Sequence, residues 1–181
     1  MDANPNRRVL IAVDSNVPLD LAEEVEDVTD AMTVIRDRLP EDQMVMPPTV
    51  SHELADETRR GTNAKKRNRA MRTFQLARNW NIQPMDLVAV HHGIAERIGR
   101  RLREIGLLPD AEINVSLIVA EAALLGCFLL LSSDGHLREM DFERLTFEPG
   151  KSSWNRAIRE TRENRTGWRR GPIHPAGERP G

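Results

Sequence analysis

The chain has a single cysteine, Cys127, and no tyrosine. One cysteine cannot close an intramolecular disulfide, so stability has to come from a packed core, and a reducing compartment is the natural setting. Cys127 lies within the apolar run Leu124 to Leu131, which reads as a buried, inert thiol rather than a nucleophile. No stretch reaches the roughly 18–20 apolar residues that a membrane span needs. Asp14 and Asn16 interrupt the first hydrophobic run, which removes a signal core. The expectation is a cytoplasmic protein with no membrane partner.

What is present is ordinary for a soluble domain: 181 residues, 39% hydrophobic and 30% charged. Such a length buries roughly two thirds of the unfolded surface. The net charge of −2 hides an asymmetry. From Lys151 onward there are eight basic and three acidic side chains, out of 26 and 28 in the whole chain, so residues 1–150 carry −7. We therefore expect one domain over 1–149 and a basic, largely disordered tail over 150–181. An acidic body with a basic tail suggests nucleic-acid contact; a solvated tail without a role is the plainer alternative.

Arg8 to Val13 reads as a fully buried strand ending in the turn cluster Asp14-Ser15-Asn16. Helical spacing then runs from Val17 to Leu39, closed by Pro40. Met44 to Met46 is a second short strand, stopped by Pro47-Pro48, with Thr49 or Ser51 as cap for the next helix. Gly61 ends that helix. Asn63 opens a long basic one to about Trp80, with Ala70, Phe74 and Ala77 facing inward. A helix is expected from Pro84-Met85-Asp86 to Gly106, and another from Glu112 or Asn114 to Gly126. Cys127 to Leu131 is a second fully apolar strand. Strands alternating with helices predict a three-layer α/β/α fold around a mostly parallel sheet.

Both strongly apolar strands end in an aspartate, Asp14 and Asp134. In open parallel sheets ligands bind beyond the carboxyl ends of the strands, so the fold would bring these two acids together. Glu53, after the Pro-Pro turn, could join them. Clustered carboxylates repel one another without a cation, and hard ions such as Mg²⁺ or Mn²⁺ prefer oxygen ligands. Taken singly, each Asp could equally cap a helix or hold a turn.

These segments resemble PIN-domain nucleases. VLIAVDSNVPLDL resembles their opening strand, MPPTVSHEL their second strand and following helix, and LPDAEINVSLIVAEAALLGCFLLLSSDGHL their late helix, strand and final Asp. The resemblance covers about residues 8–147 in order. It implies Asp14, Glu53 and Asp134 as catalytic metal ligands, with Asn16 and Ser133 supporting them by hydrogen bonds. The family's further Asp falls on Val115, which cannot bind a metal. Asn114 or Glu112 could substitute, with Asp110 behind them.

The activity implied is metal-dependent hydrolysis of phosphodiester bonds in single-stranded RNA, with Mg²⁺ or Mn²⁺ as cofactor. The histidines make no ligand pattern: His91 and His92 read as surface residues, and His52 and His136 merely neighbour proposed ligands. Arg59, Arg60, Lys65, Lys66, Arg67, Arg69 and Arg72 form an acid-free run suited to phosphate contact, or else a solvated helix face. Trp154 and Trp168 are the only aromatic candidates for stacking on bases. Alternative readings are an RNA-binding module inactivated at Val115, the toxin of a toxin–antitoxin pair with an antitoxin partner, and an aspartyl-phosphate enzyme. Asn16 argues against the last, where a second Asp is usual. The apolar face of the 85–105 helix could serve a homodimer or simply the core.

Overall fold

The structure is a computed structural model and describes residues 9–140. Four strands form one all-parallel sheet in the order β3-β2-β1-β4. They are β1 (Leu10–Val13), β2 (Gln43–Met46), β3 (Ile82–Pro84) and β4 (Leu129–Leu131). Seven helices are described: α1 (Asn16–Ala22), α2 (Glu26–Arg38), α3 (Pro48–Arg60), α4 (Ala64–Asn79), α5 (Ala89–Glu104), α6 (Ile113–Leu124) and α7 (Gly135–Glu139). The expected three-layer α/β/α arrangement is the one observed. The expected tail from 150, its boundary at 149, and Phe142, Phe147, Trp154 and Trp168 lie outside the described residues.

The layers follow from strand alternation. Ile11, Val13, Met44 and Met46 point to one face and pack with Val17, Leu21, Met32, Val50 and Ala77 of α1 to α4. Ala12 and Val45 point to the other, under Ala122 of α6. Leu87, Ala95 of α5 and Ala120 of α6 extend that second layer. Sheet residues small on one face and large on the other let α6 lie close over the centre. Gly99 allows the same closeness between α5 and α6: a Cβ there would stand 3.1 Å from Ser116 Oγ.

Three expectations are corrected. The Val17–Leu39 stretch is two helices, because Glu24 adopts φ 58° and turns the chain between α1 and α2. Pro84 does not start a helix; Ile82–Pro84 is an edge strand on β2, where a missing proline N–H costs nothing. Neither Thr49 nor Ser51 caps α3. Its flanking residue is Pro47, with Pro48 in the first helical position. The cap comes from Glu121 in the last turn of α6, whose carboxylate accepts Thr49 N at 2.9 Å and Thr49 Oγ1 at 2.8 Å. Asn63 caps α4 as expected, accepting Lys66 N at 2.9 Å.

Candidate metal centre

The register decides which residues meet. Val13 pairs with Leu131, and Asp14 N donates to Leu131 O at 2.9 Å, so Asp14 stands beside Ser132 at the carboxyl edge of the sheet. Asp14 is only 2% exposed. Its Oδ1 accepts Ser15 N at 2.7 Å and Ser15 Oγ at 3.3 Å, and its Oδ2 accepts Ser132 Oγ at 2.6 Å. Burial pushes its pKa up; those hydrogen bonds pull against it, and the Asp134 carboxylate adds a further upward push. Three hydrogen bonds thus fail to offset loss of water.

Asp134 caps α7: its Oδ1 accepts His136 N at 2.7 Å and Leu137 N at 3.3 Å. Ser132 Oγ accepts Asp134 N at 2.9 Å, so one hydroxyl links the two aspartates. Glu53, on the second turn of α3, accepts Asn114 Nδ2 at 2.6 Å through Oε1. Its other oxygen, Oε2, is buried with no hydrogen-bond partner. Burial raises the pKa of Glu53, the Ser15 hydroxyl and Asn114 lower it, and the charges of Asp14 and Glu57 raise it again. The Ser15 hydroxyl thus also acts as a hydrogen-bond donor toward the Glu53 carboxylate.

The sequence-derived residues divide accordingly. Glu53 and Asp134 each lie within repulsive reach of Asp14, and Asn114 joins them through Glu53. Val115 packs instead against the Leu102, Leu107 and Leu108 cluster, so the amide beside it, not the valine, faces the acids. Glu112 flanks α6 and stands 3.6 Å from His136 Nε2, toward α7. Asp110 is exposed in the preceding turn. Ser133 donates to Asp20 Oδ2 at 2.7 Å; the serine that holds Asp14 is Ser132, which the sequence reading passed over. Asn16 opens α1 half-exposed. Among the described histidines, His52 and His136 are exposed and His91 and His92 half-exposed, with His92 Nε2 3.2 Å from Asp86.

Oxygen donors alone, two carboxylates destabilised by burial and an orphaned Glu53 Oε2 fit a hard divalent cation, because a buried carboxylate oxygen without a partner is costly. The fit is in chemistry and position. Among the described residues no three His, Cys, Asp or Glu side chains are close enough to form a finished cage.

A groove of about 410 Å³ opens from Ser15 and Glu53 past Glu57 to Arg60, Thr62 and Lys66. Gly61 shapes its far end, since a Cβ there would stand 2.5 Å from Glu57 O. The basic run is divided by this geometry. Arg67 donates to Gly61 O at 2.9 Å. Arg69 pairs with Glu23 at 3.1 Å and Arg72 with Glu24 at 2.6 Å, both tying α4 to the α1–α2 turn. Arg60 lies 3.3 Å from Asp56. Lys65 and Lys66 are exposed in the first turn of α4, and Arg59 is exposed at the end of α3.

No family model matches the chain and no curated protein matches it. Among solved structures, the fold is similar to a chain in the crystal structure of VapBC2 from Rickettsia felis bound to a DNA fragment from their promoter. The two share 13% identity at a TM-score of 0.55, over 73% of this chain and 93% of that one. At that identity the likeness is one of fold, and it agrees with the three-layer α/β/α arrangement described above.

Proposed function

We propose that this chain is a metal-dependent nuclease that hydrolyses phosphodiester bonds in single-stranded RNA. The observation that carries the reading is the buried, unpartnered Glu53 Oε2 beside Asp14 at the carboxyl edge of a parallel sheet. Asp14, Glu53 and Asp134 would hold Mg²⁺ or Mn²⁺, with the Asn114 amide oxygen as the neutral donor where the family has an acid. When bound, such an ion would lower the pKa of a coordinated water toward that of a usable nucleophile and would neutralise charge on phosphate oxygens.

The chain's own residues set the stage for that chemistry. Ser132 and Ser15 fix both oxygens of Asp14, and Asn114 fixes one oxygen of Glu53, so the acids are oriented before any ligand arrives. Lys66 and Arg60, lining the groove, are the cations placed to meet a phosphate backbone, with Arg59 and Lys65 exposed nearby. Arg67 and Arg69, which the sequence assigned to the same task, are also tied to Gly61 O and to Glu23. The groove's size falls in the range of small-ligand sites, roughly 300–1,000 Å³, and suits one nucleotide unit of a flexible strand better than a rigid duplex.

A second reading is favoured by one specific observation: the carboxylates do not form a ready cage, as expected of an RNA-binding module that has lost turnover. A third, a toxin held by an antitoxin, draws on the fold likeness to VapBC2. Cleavage of labelled single-stranded RNA in Mn²⁺, Mg²⁺ or EDTA by wild type, Asp14→Asn and Asp134→Asn separates the first two. Metal-dependent cutting lost in both variants supports the nuclease. Retained RNA binding without cutting in any metal supports the module.

A further inference from the structure

A second cavity, of about 300 Å³, opens at the other end of the sheet. Asp14 follows the last residue of β1, whereas Asp42, in this cavity's wall, accepts Val9 N at 3.0 Å just before β1 begins. The apolar wall is Leu39 and Pro40 after α2, Met44 of β2 and Trp80 at the end of α4. Trp80 packs on the core, and the guanidinium carbon of Arg36 lies 5.0 Å from its ring centroid. Arg36 is exposed, and no carboxylate among the described residues pairs with it. An arginine held over a ring in a cavity wall is a platform for a further planar group, since bases stack on guanidinium planes as they do on aromatic rings. Two acids share the cavity with it, Asp37 and Asp42. Apart from the Val9 contact, neither carboxylate takes a hydrogen bond from a described residue.

Charge narrows what can enter. Two aspartates against one arginine repel a phosphate, while a cation has to approach Arg36 itself. A neutral planar ring that donates hydrogen bonds suits both. A carboxylate can only accept, and it is best matched by two parallel N–H groups side by side. Among the common bases guanine alone has that pair on its pairing edge, N1–H beside the N2 amino group; the others alternate donors with acceptors. We propose that this cavity binds a guanine base, stacked on Arg36 and read by Asp42. Of the two acids Asp42 is the better reader, being half-buried and held by Val9, whereas Asp37 is exposed. The base can belong to a free nucleoside or to an unstacked guanine of single-stranded RNA. The cavity and the proposed nuclease centre lie at opposite ends of the strands, so binding here does not depend on turnover there.

The chain's three tryptophans give three indole N–H signals in a nitrogen-15 correlation spectrum of the full chain, and the signal lost in Trp80→Phe belongs to Trp80. Guanosine, inosine (which lacks the N2 amino group) and adenosine are titrated in EDTA. Guanosine is expected to shift the Trp80 signal saturably and leave the other two in place. Inosine, one donor short, should bind about tenfold more weakly, and adenosine should not saturate. Asp42→Asn keeps an acceptor for Val9 N; it should cost guanosine about tenfold in affinity and bring inosine level with it. Arg36→Ala, a change at an exposed side chain, should weaken guanosine several-fold. No saturable shift at Trp80, or guanosine and adenosine binding alike, overturns the proposal without need of any variant. So does a folded Asp42→Asn protein that still prefers guanosine to inosine. A short uridine strand with and without one central guanosine separates the two sources. Tighter binding of the guanosine-containing strand than of the nucleoside supports an RNA base, and binding of the nucleoside alone supports a free ligand. RNA cleavage by the Asp42→Asn protein in Mn²⁺ judges the nuclease reading separately.

Discussion

Asp14 is the residue for which function and stability are expected to pull in opposite directions. Its folded-state pKa lies above the ordinary value of 3.8, with burial the main cause. A raised carboxylate pKa means that the folded state binds the proton more readily than the unfolded chain, so ionised Asp14 opposes folding. That cost is complete above the folded pKa and disappears as pH falls toward the unfolded value. Asp14→Asn removes it while keeping the contacts. The amide oxygen still accepts Ser15 N, and the amide N–H can donate to Ser132 Oγ, which has two lone pairs and at present accepts only from Asp134 N. Site residues of this kind commonly yield about 1–2 kcal/mol when neutralised, or about 3–6 °C in Tm for a chain of this length. We expect Asp14→Asn to melt above wild type in EDTA at pH 7, with the gap closing toward pH 4. Mn²⁺ at a hundred times its Kd should add about 2.7 kcal/mol to wild type and nothing to the variant. Scanning calorimetry across pH with and without Mn²⁺ reads both. A variant that melts below wild type in EDTA at every pH would refute the reasoning, since it would mean that the hydrogen bonds outweigh burial.

Glu121→Ala removes the carboxylate that caps α3 and strands Thr49 N and Oγ1; a loss of about 2–3 kcal/mol in urea unfolding is expected. Gly99→Ala drives a methyl to 3.1 Å from Ser116 Oγ and 3.2 Å from its carbonyl oxygen, and should cost about 1–2 kcal/mol by the same measurement. Burial lifts the Cys127 thiol to about 12, so a disulfide reagent at pH 8 should label it slowly in the folded protein and at once in urea; immediate labelling without denaturant would show the thiol to be accessible.

The sequence made β1 and β4 legible because both are unbroken apolar runs, although β4 lies at an edge of the sheet and is only half-buried. The β3 edge was hidden for the opposite reason. Ile82–Pro84 has one buried residue in three and a proline, the marks of a turn as much as of an edge strand. The break after α1 was also unreadable, since it uses a left-handed glutamate rather than a glycine. Asp14, Glu53 and Asp134 could be anticipated from their places after apolar strands. Whether position 114 or 115 faces them depends on the phase of α6, which a strongly apolar helix does not reveal. Glu121 carried a signal that went unused: an acid inside VAEAALL has to find a buried donor, because an unpaired carboxylate there would be prohibitive.

Helices α3 and α6 are joined at two rungs, Thr49 to Glu121 and Glu53 to Asn114. A single tether between two rods permits swivelling about it; a second, one turn further along α3, removes that freedom as well as sliding. Glu53 is therefore held in place by the body of the protein rather than by its own rotamer preference. The entropy of aligning it is lost once, during synthesis and folding, and not again at each encounter with a ligand. It also follows that damage at the distant rung, which touches nothing proposed to react, should loosen the near one.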